Sequence, residues 1–180
     1  MRLLVFALLA MASFSAASDS LDINLSNDTV EARYASTIGF GEWTFGGLYN
    51  RDEKNSSANI GLLATGETRV KGSRLEGGVG GKFYVASADD NELSALALGG
   101  QMRLFFGDGP FAVSGYVFYA PGVVTFLDGE RFWEVGLRAE VELIKGSFVY
   151  IGVRQVRAEF EGDAKADIDK GGFVGLQIRF

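Results

Sequence analysis

The sequence predicts an all-β chain that closes as an antiparallel up-and-down transmembrane β-barrel of about ten strands. Three observations lead there. Alternation of period two recurs along nearly the whole chain, and no apolar run beyond the first 17 residues approaches the roughly 20 that a spanning helix needs. The 25 glycines are scattered rather than gathered in a linker, and 15 Phe, 6 Tyr and 2 Trp stand beside only two prolines, a mixture that suits pleated strands.

The first segment is set aside before strands are assigned. Arg2 opens it, Leu3 to Met11 form an apolar run of secretory length, and Ser15-Ala16-Ala17 supplies small residues for signal peptidase. Residues 1–17 are therefore read as a signal peptide and residues 18–180 as one barrel domain. Arg2 is the only charge removed with the leader, so the remainder carries a net charge near −7 with no basic stripe, which argues against nucleic acid as a partner. Cysteine is absent, so no disulfide staples the fold. Histidine is absent too, which excludes Cys/His zinc sites and nucleophiles activated by an imidazole or thiolate. No cofactor, no metal and no catalytic residue is expected. The glycine run Gly77-Gly78-Val79-Gly80-Gly81 is read as strand packing, because a phosphate cradle needs a helix after it.

Turn residues punctuate the rest into strands near 20–26, 29–38, 41–50, 57–66, 73–86, 92–106, 110–119, 130–144, 147–160 and 171–180. The first is short for a crossing. If it folds in as a plug, eight strands remain an alternative. From 29 to 38, Val30, Ala32, Tyr34 and Ile38 oppose Glu31, Arg33 and Thr37; from 73 to 86, Leu75, Val79, Phe83 and Val85 oppose Arg74, Glu76, Gly78, Gly80 and Lys82. Leu96, Leu98, Met102 and Leu104 oppose Gln101, Arg103 and small residues. The clearest strand runs from Arg131 to Glu142, where Trp133, Val135, Leu137 and Val141 oppose Glu134, Gly136, Arg138 and Glu140. Alternation slips after Val153. Connections alternate between tight (39–40, 107–109, 145–146) and longer (51–56, 87–91, 120–129, 161–170), with 66–72 read as a loop; short turns on one side and loops on the other characterise outer-membrane barrels.

A soluble, lipocalin-like barrel would turn its apolar face inward around a ligand, but here charged and small residues share one face, as in a narrow lumen filled by paired charges. Arg33, Arg74, Lys82, Arg103, Arg138, Arg154 and Arg179 are assigned to the lumen against Asp22, Glu31, Glu42, Glu76, Glu134, Glu140 and Glu142. Arg74, Glu76, Lys82, Arg103, Glu134, Arg138, Glu140 and Arg179 form the candidate network, with Glu76 and Lys82 expected to ladder against Glu134, Arg138 and Glu140. Equal charges favour a sealed lumen; a selective pore shows an excess of one sign. Trp43, Tyr49, Phe83, Phe106, Phe111, Tyr119, Trp133 and Phe180 are expected at interfacial girdles. Asp89, Asp90, Glu92, Asp163, Asp167 and Asp169 are read as solvated loop acids rather than a cation site.

Val174, Leu176, Ile178 and Phe180 alternate outward to the last residue, the pattern of a C-terminal signal for barrel-assembly machinery. Several short segments in order, Gly80-Gly81-Lys82, Gly99-Gly100-Gln101, Phe118-Tyr119-Ala120-Pro121, Glu134-Val135-Gly136-Leu137-Arg138 and Gly172-Phe173-Val174-Gly175 before Phe180, resemble the YfaZ family of small outer-membrane proteins over nearly all of residues 18–180. The resemblance implies an exported barrel in the outer membrane of a Gram-negative cell and brings no activity or catalytic residue with it. The expected partners are outer-membrane lipids, lipopolysaccharide and the assembly machinery, and a monomer is expected. Two roles follow: a structural or loop-mediated interaction barrel with a sealed lumen, or a narrow channel or small-molecule carrier.

Overall fold

The computed structural model describes residues 19–39, 41–88, 91–160 and 164–180. The leader at 1–17 and the loop acids Asp89, Asp90 and Asp163 lie outside the described residues. Strands β1 (Asp19–Leu25), β2 (Thr29–Ile38), β3 (Gly41–Asn50), β4 (Ser56–Val70), β5 (Ser73–Ala88), β6 (Asn91–Phe105) and β7 (Phe111–Ala120) are followed by a short β8 (Thr125–Leu127), then β9 (Gly129–Ile144), β10 (Ser147–Phe160) and β11 (Ala164–Arg179). Every long strand pairs antiparallel with its sequence neighbour, β7 with β9, and β11 returns to β1, so ten strands close a barrel. β8 takes up the edge of β6 at Leu93 to Ala95, just beyond the end of its pairing with β7.

The eight-strand alternative is overturned by β1. Short as it is, it pairs along its length with both β2 and β11, as in Leu21↔Tyr34 and Leu21↔Ile178, so it is a stave and not a plug. Two expected loops are strand instead. β4 and β5 continue through Glu67↔Glu76 and Arg69↔Arg74 to a two-residue turn, Lys71-Gly72, both at positive φ. Gly66 reads as punctuation, but a glycine flanked by paired backbone stays in the ladder. The 161–170 loop is likewise mostly β11, which begins at Ala164.

The register explains why the pattern was hard to follow there. Val156 pairs with Asp169 and Arg157 with Asp167, so β11 carries an extra residue, Ile168, and its parity shifts by one. Polarity also changes hands along the barrel axis. Over most of the wall apolar side chains face outward: Leu137 is 55% exposed while its neighbour Arg138 is 5% exposed. Toward the end bearing the longer loops the faces exchange. Val156, Ala158, Phe160, Ala166 and Ile168 turn in, while Gln155, Arg157, Glu159, Lys165 and Asp167 turn out.

The interior is therefore layered. At the loop end an apolar plug packs Leu93, Phe118, Phe132, Phe160 and Ile168 with small alanines. Below it lies a layer of buried charge, and toward the end holding Asp19 and Phe180 a chamber opens. Inward glycines make room for inward rings. A Cβ on Gly136 would stand 2.5 Å from the Tyr116 ring, and Gly175 and Gly152 leave the same space for Tyr150 and Phe173. Of the expected girdle aromatics, Trp43, Tyr49, Phe83, Phe106, Phe111, Tyr119 and Phe180 are exposed on the outer face. Trp133 is half-buried, with the Arg157 guanidinium 5.4 Å from its ring centroid.

Candidate functional site

Strand parity delivers charged side chains from most staves to one layer inside the barrel. Such charges are tolerated only when each finds a partner. Arg154 of β10 is the hub. It pairs with Glu31 of β2 and Asp169 of β11, and its Nη1 donates to Asn24 Oδ1 at 2.8 Å. Asn24 in turn donates to Glu31 at 2.7 Å, and the Thr29 hydroxyl donates to Asp169 at 2.6 Å. Arg33 bridges Glu31 at 2.7 Å and Glu134 at 3.1 Å. Glu134 also accepts from the Tyr84 hydroxyl and lies 3.9 Å from Lys82 Nζ. Lys82 completes its shell on an aromatic face, 4.0 Å from the Phe118 ring centroid, where the charge layer meets the apolar plug.

Nearer the termini the pairs become discrete. Arg138 meets Asp22 at 2.6 Å, and Asp22 also accepts from Tyr150. Arg103 meets Glu140 at 2.8 Å and donates to Gln177, while Ser114 donates to Glu140. Arg179 meets Glu76 at 2.9 Å at the mouth, with Arg74 3.5 Å from the same carboxylate and 3.9 Å from the Phe105 ring centroid.

Arg74, Glu76, Lys82, Arg103, Glu134, Arg138, Glu140 and Arg179 all lie on the inner face, but their pairing differs from the expected ladder. Arg138 takes Asp22 and not its strand-mates' carboxylates, Glu140 takes Arg103, and Glu76 stands at the mouth, away from the Glu134 to which Lys82 belongs. Most pairs join different staves, as Arg138–Asp22 and Arg103–Glu140 do, while Arg33–Glu31 and Arg74–Glu76 join inward neighbours two residues apart on one strand. Glu142 shows no ion pair among the described residues. It accepts the Gly146 N–H at 2.8 Å and caps the Lys145-Gly146 turn. Glu42 accepts from Gln101 at 2.9 Å.

Asp169 corrects the reading of the loop acids. It is 5% exposed and belongs to the Arg154 hub. It keeps the inward parity of Phe173, Gly175, Gln177 and Arg179, and it reads as a loop acid only if the strand is started at 171 rather than at Ala164. Asp167, one position beyond the bulge, stays outside. There two hydrogen bonds from Arg157 hold its carboxyl below the usual carboxylate range. Asn24, Tyr84, Tyr116 and Tyr150 were also missed, although each shares parity with a lumen charge on its own or a neighbouring strand. Among the described residues no three metal-ligating side chains converge.

Val174, Leu176, Ile178 and Phe180 line the outer face of β11, each between 40% and 66% exposed. A family model described as YfaZ precursor matches residues 1–180. No curated protein matches the chain at a significant level.

Proposed function

The chain belongs to the YfaZ family, and from that premise we propose that it is a non-enzymatic barrel of the outer membrane, with a lumen closed to ions and a structural or loop-mediated role. The supporting observation is the inversion of polarity across the wall. Exposed Leu, Ile, Val and aromatic side chains encircle the barrel while buried ion pairs fill it, and an apolar surface of that extent needs lipid rather than water. The ten-residue β7 matches the roughly 9–11 residues of a tilted crossing. With an even number of staves, both ends of the barrel domain face the periplasm and the longer loops face outward to lipopolysaccharide.

Closure rests on two barriers in series, the Arg154 hub and the plug of Phe118, Phe132 and Phe160. A narrow channel or carrier is the second reading, favoured by the chamber beneath them. Purified wild-type protein in a planar bilayer is expected to give no steady conductance, and well-defined unitary channels from the monomer would establish the channel instead. Removing Arg138 and Glu140 together is expected to leave the bilayer silent, because both lie below the apolar plug.

The exposed end of β11 fits recognition by barrel-assembly machinery. Phe180→Asp places a charge at an interfacial position and is expected to reduce heat-modifiable protein in the outer membrane severalfold. Wild-type levels of folded Phe180→Asp would remove this role.

A further inference from the structure

The terminal half of the lumen encloses a chamber of about 370 Å³, within the roughly 300–1,000 Å³ of sites that take small organic ligands. Arg33, Arg103, Arg138 and Arg179 reach its lining from β2, β6, β9 and β11. Of the four carboxylates that share the lining, Asp22 is engaged by Arg138 and Tyr150, Glu76 by Arg179 and Arg74, and Glu42 by Gln101, while Glu67 stands exposed beside Glu76 at the mouth. Glu31, Glu134 and Glu140, which neutralise Arg33 and Arg103, are not part of the lining, so they stand behind these guanidiniums as seen from the chamber.

The unmet hydrogen-bonding capacity is one-sided. Buried atoms of the lining without a partner are Arg33 Nε, Arg103 Nη1, Arg138 Nε, Thr44 Oγ1 and Tyr116 Oη. Three are obligate donors, two are hydroxyls, and none is a carboxylate oxygen. Thr44 and Tyr116 are 2% and 8% exposed and belong to the chamber wall. Unmade buried donors are costly, and five around one cavity call for acceptor oxygens. A neutral sugar brings a donor with every hydroxyl and no charge. A carboxylate brings acceptors alone and a phosphate brings mostly acceptors, together with the charge that guanidinium forks match.

We infer that the chamber is a binding site for a small anion bearing a carboxylate or phosphate group, admitted from the end of the barrel that holds Asp19 and Phe180. Thr44 and Tyr116 fix its oxygens, and Arg33, Arg103 and Arg138 supply the field. The site goes beyond the closed-lumen reading and does not need it, since a blind chamber and a conducting one would both hold the anion.

The test uses the full barrel folded in detergent micelles with 15N-labelled arginine, following Nε–H resonances at constant ionic strength. Benzoate and inorganic phosphate are the two anionic probes, and benzamide is the neutral control. Saturable shifts of the Arg33 and Arg138 resonances with at least one anion, and none with benzamide, are expected, and the responding probe tells carboxylate from phosphate. Tyr116→Phe is expected to weaken that binding about tenfold while the protein remains heat-modifiable. Thr44→Val provides a second, independently folding test. The inference is overturned if neither anion gives a saturable shift, if benzamide shifts the same resonances equally, or if affinity is unchanged in both variants. Binding by a protein that also conducts would sink the sealed reading and leave this site standing.

Discussion

Arg154→Ala is expected to lower the stability of the folded barrel by about 3–5 kcal/mol, the loss typical of breaking a buried ion pair from one side. The Arg154 side chain is 0% exposed and meets two carboxylates on different staves. Removing it leaves Glu31 with Arg33 and Asn24, but leaves Asp169 with the Thr29 hydroxyl as its remaining partner in the network. The penalty is therefore an uncompensated buried charge rather than lost packing. Asp169→Asn in the same background is expected to recover a substantial part of it, because a neutral amide needs no counter-ion. Arg154→Lys keeps the charge but not the fork that reaches both acids, and falls between. Urea unfolding in micelles, followed by the heat-modifiable band, measures all three. A loss below about 1 kcal/mol for Arg154→Ala would show that water already screens the hub.

Leu137→Arg is expected to cost about 2–4 kcal/mol, the price of a cation at the lipid-facing midplane of a barrel. Leu137 lies midway along β9, faces out, and pairs with Gly115 and Val153 on its neighbours. The same change in water would be nearly neutral at a residue 55% exposed. The comparison that isolates the membrane is Arg157→Leu, beyond the apolar belt, which removes a half-buried outer-face ion pair with Asp167 and is expected to change stability by about 1 kcal/mol or less. Equal tolerance of Leu137→Arg and Arg157→Leu would contradict a lipid-facing belt.

Parity made most of this fold legible. Leu137 against Arg138, or Ile178 against Arg179, states in the sequence which side chain turns outward and which inward, and the structure places them so. Parity fails where the chain breaks it. The extra residue at Ile168 turns Ile168 and Ala166 inward and leaves Asp167 outside, and its cause is pairing with β10, which a single strand does not encode. It also misleads where the surroundings change along a strand. β10 inverts from polar-in at Arg154 to apolar-in at Val156 to Phe160, and a reader expecting one rule per strand sees only a slipping pattern. The candidate network was legible as a set and not as pairs. Which acid faces Arg138 depends on the stagger of staves around the barrel, and Asp22, 116 residues away in the chain, was reachable only once the ring had closed.

In the proposed barrel the apolar outer wall meets lipid while charge is held inside. The chain has no cysteine, so a single nitroxide can be placed at will. With Leu137→Cys and Arg157→Cys labelled separately in outer-membrane vesicles, collision rates with dissolved oxygen and with a water-soluble nickel chelate report the surrounding solvent. The label at 137 is expected to collide readily with oxygen and hardly with nickel, and the label at 157 to show the reverse. A label at 137 that is open to nickel and shielded from oxygen would contradict the account.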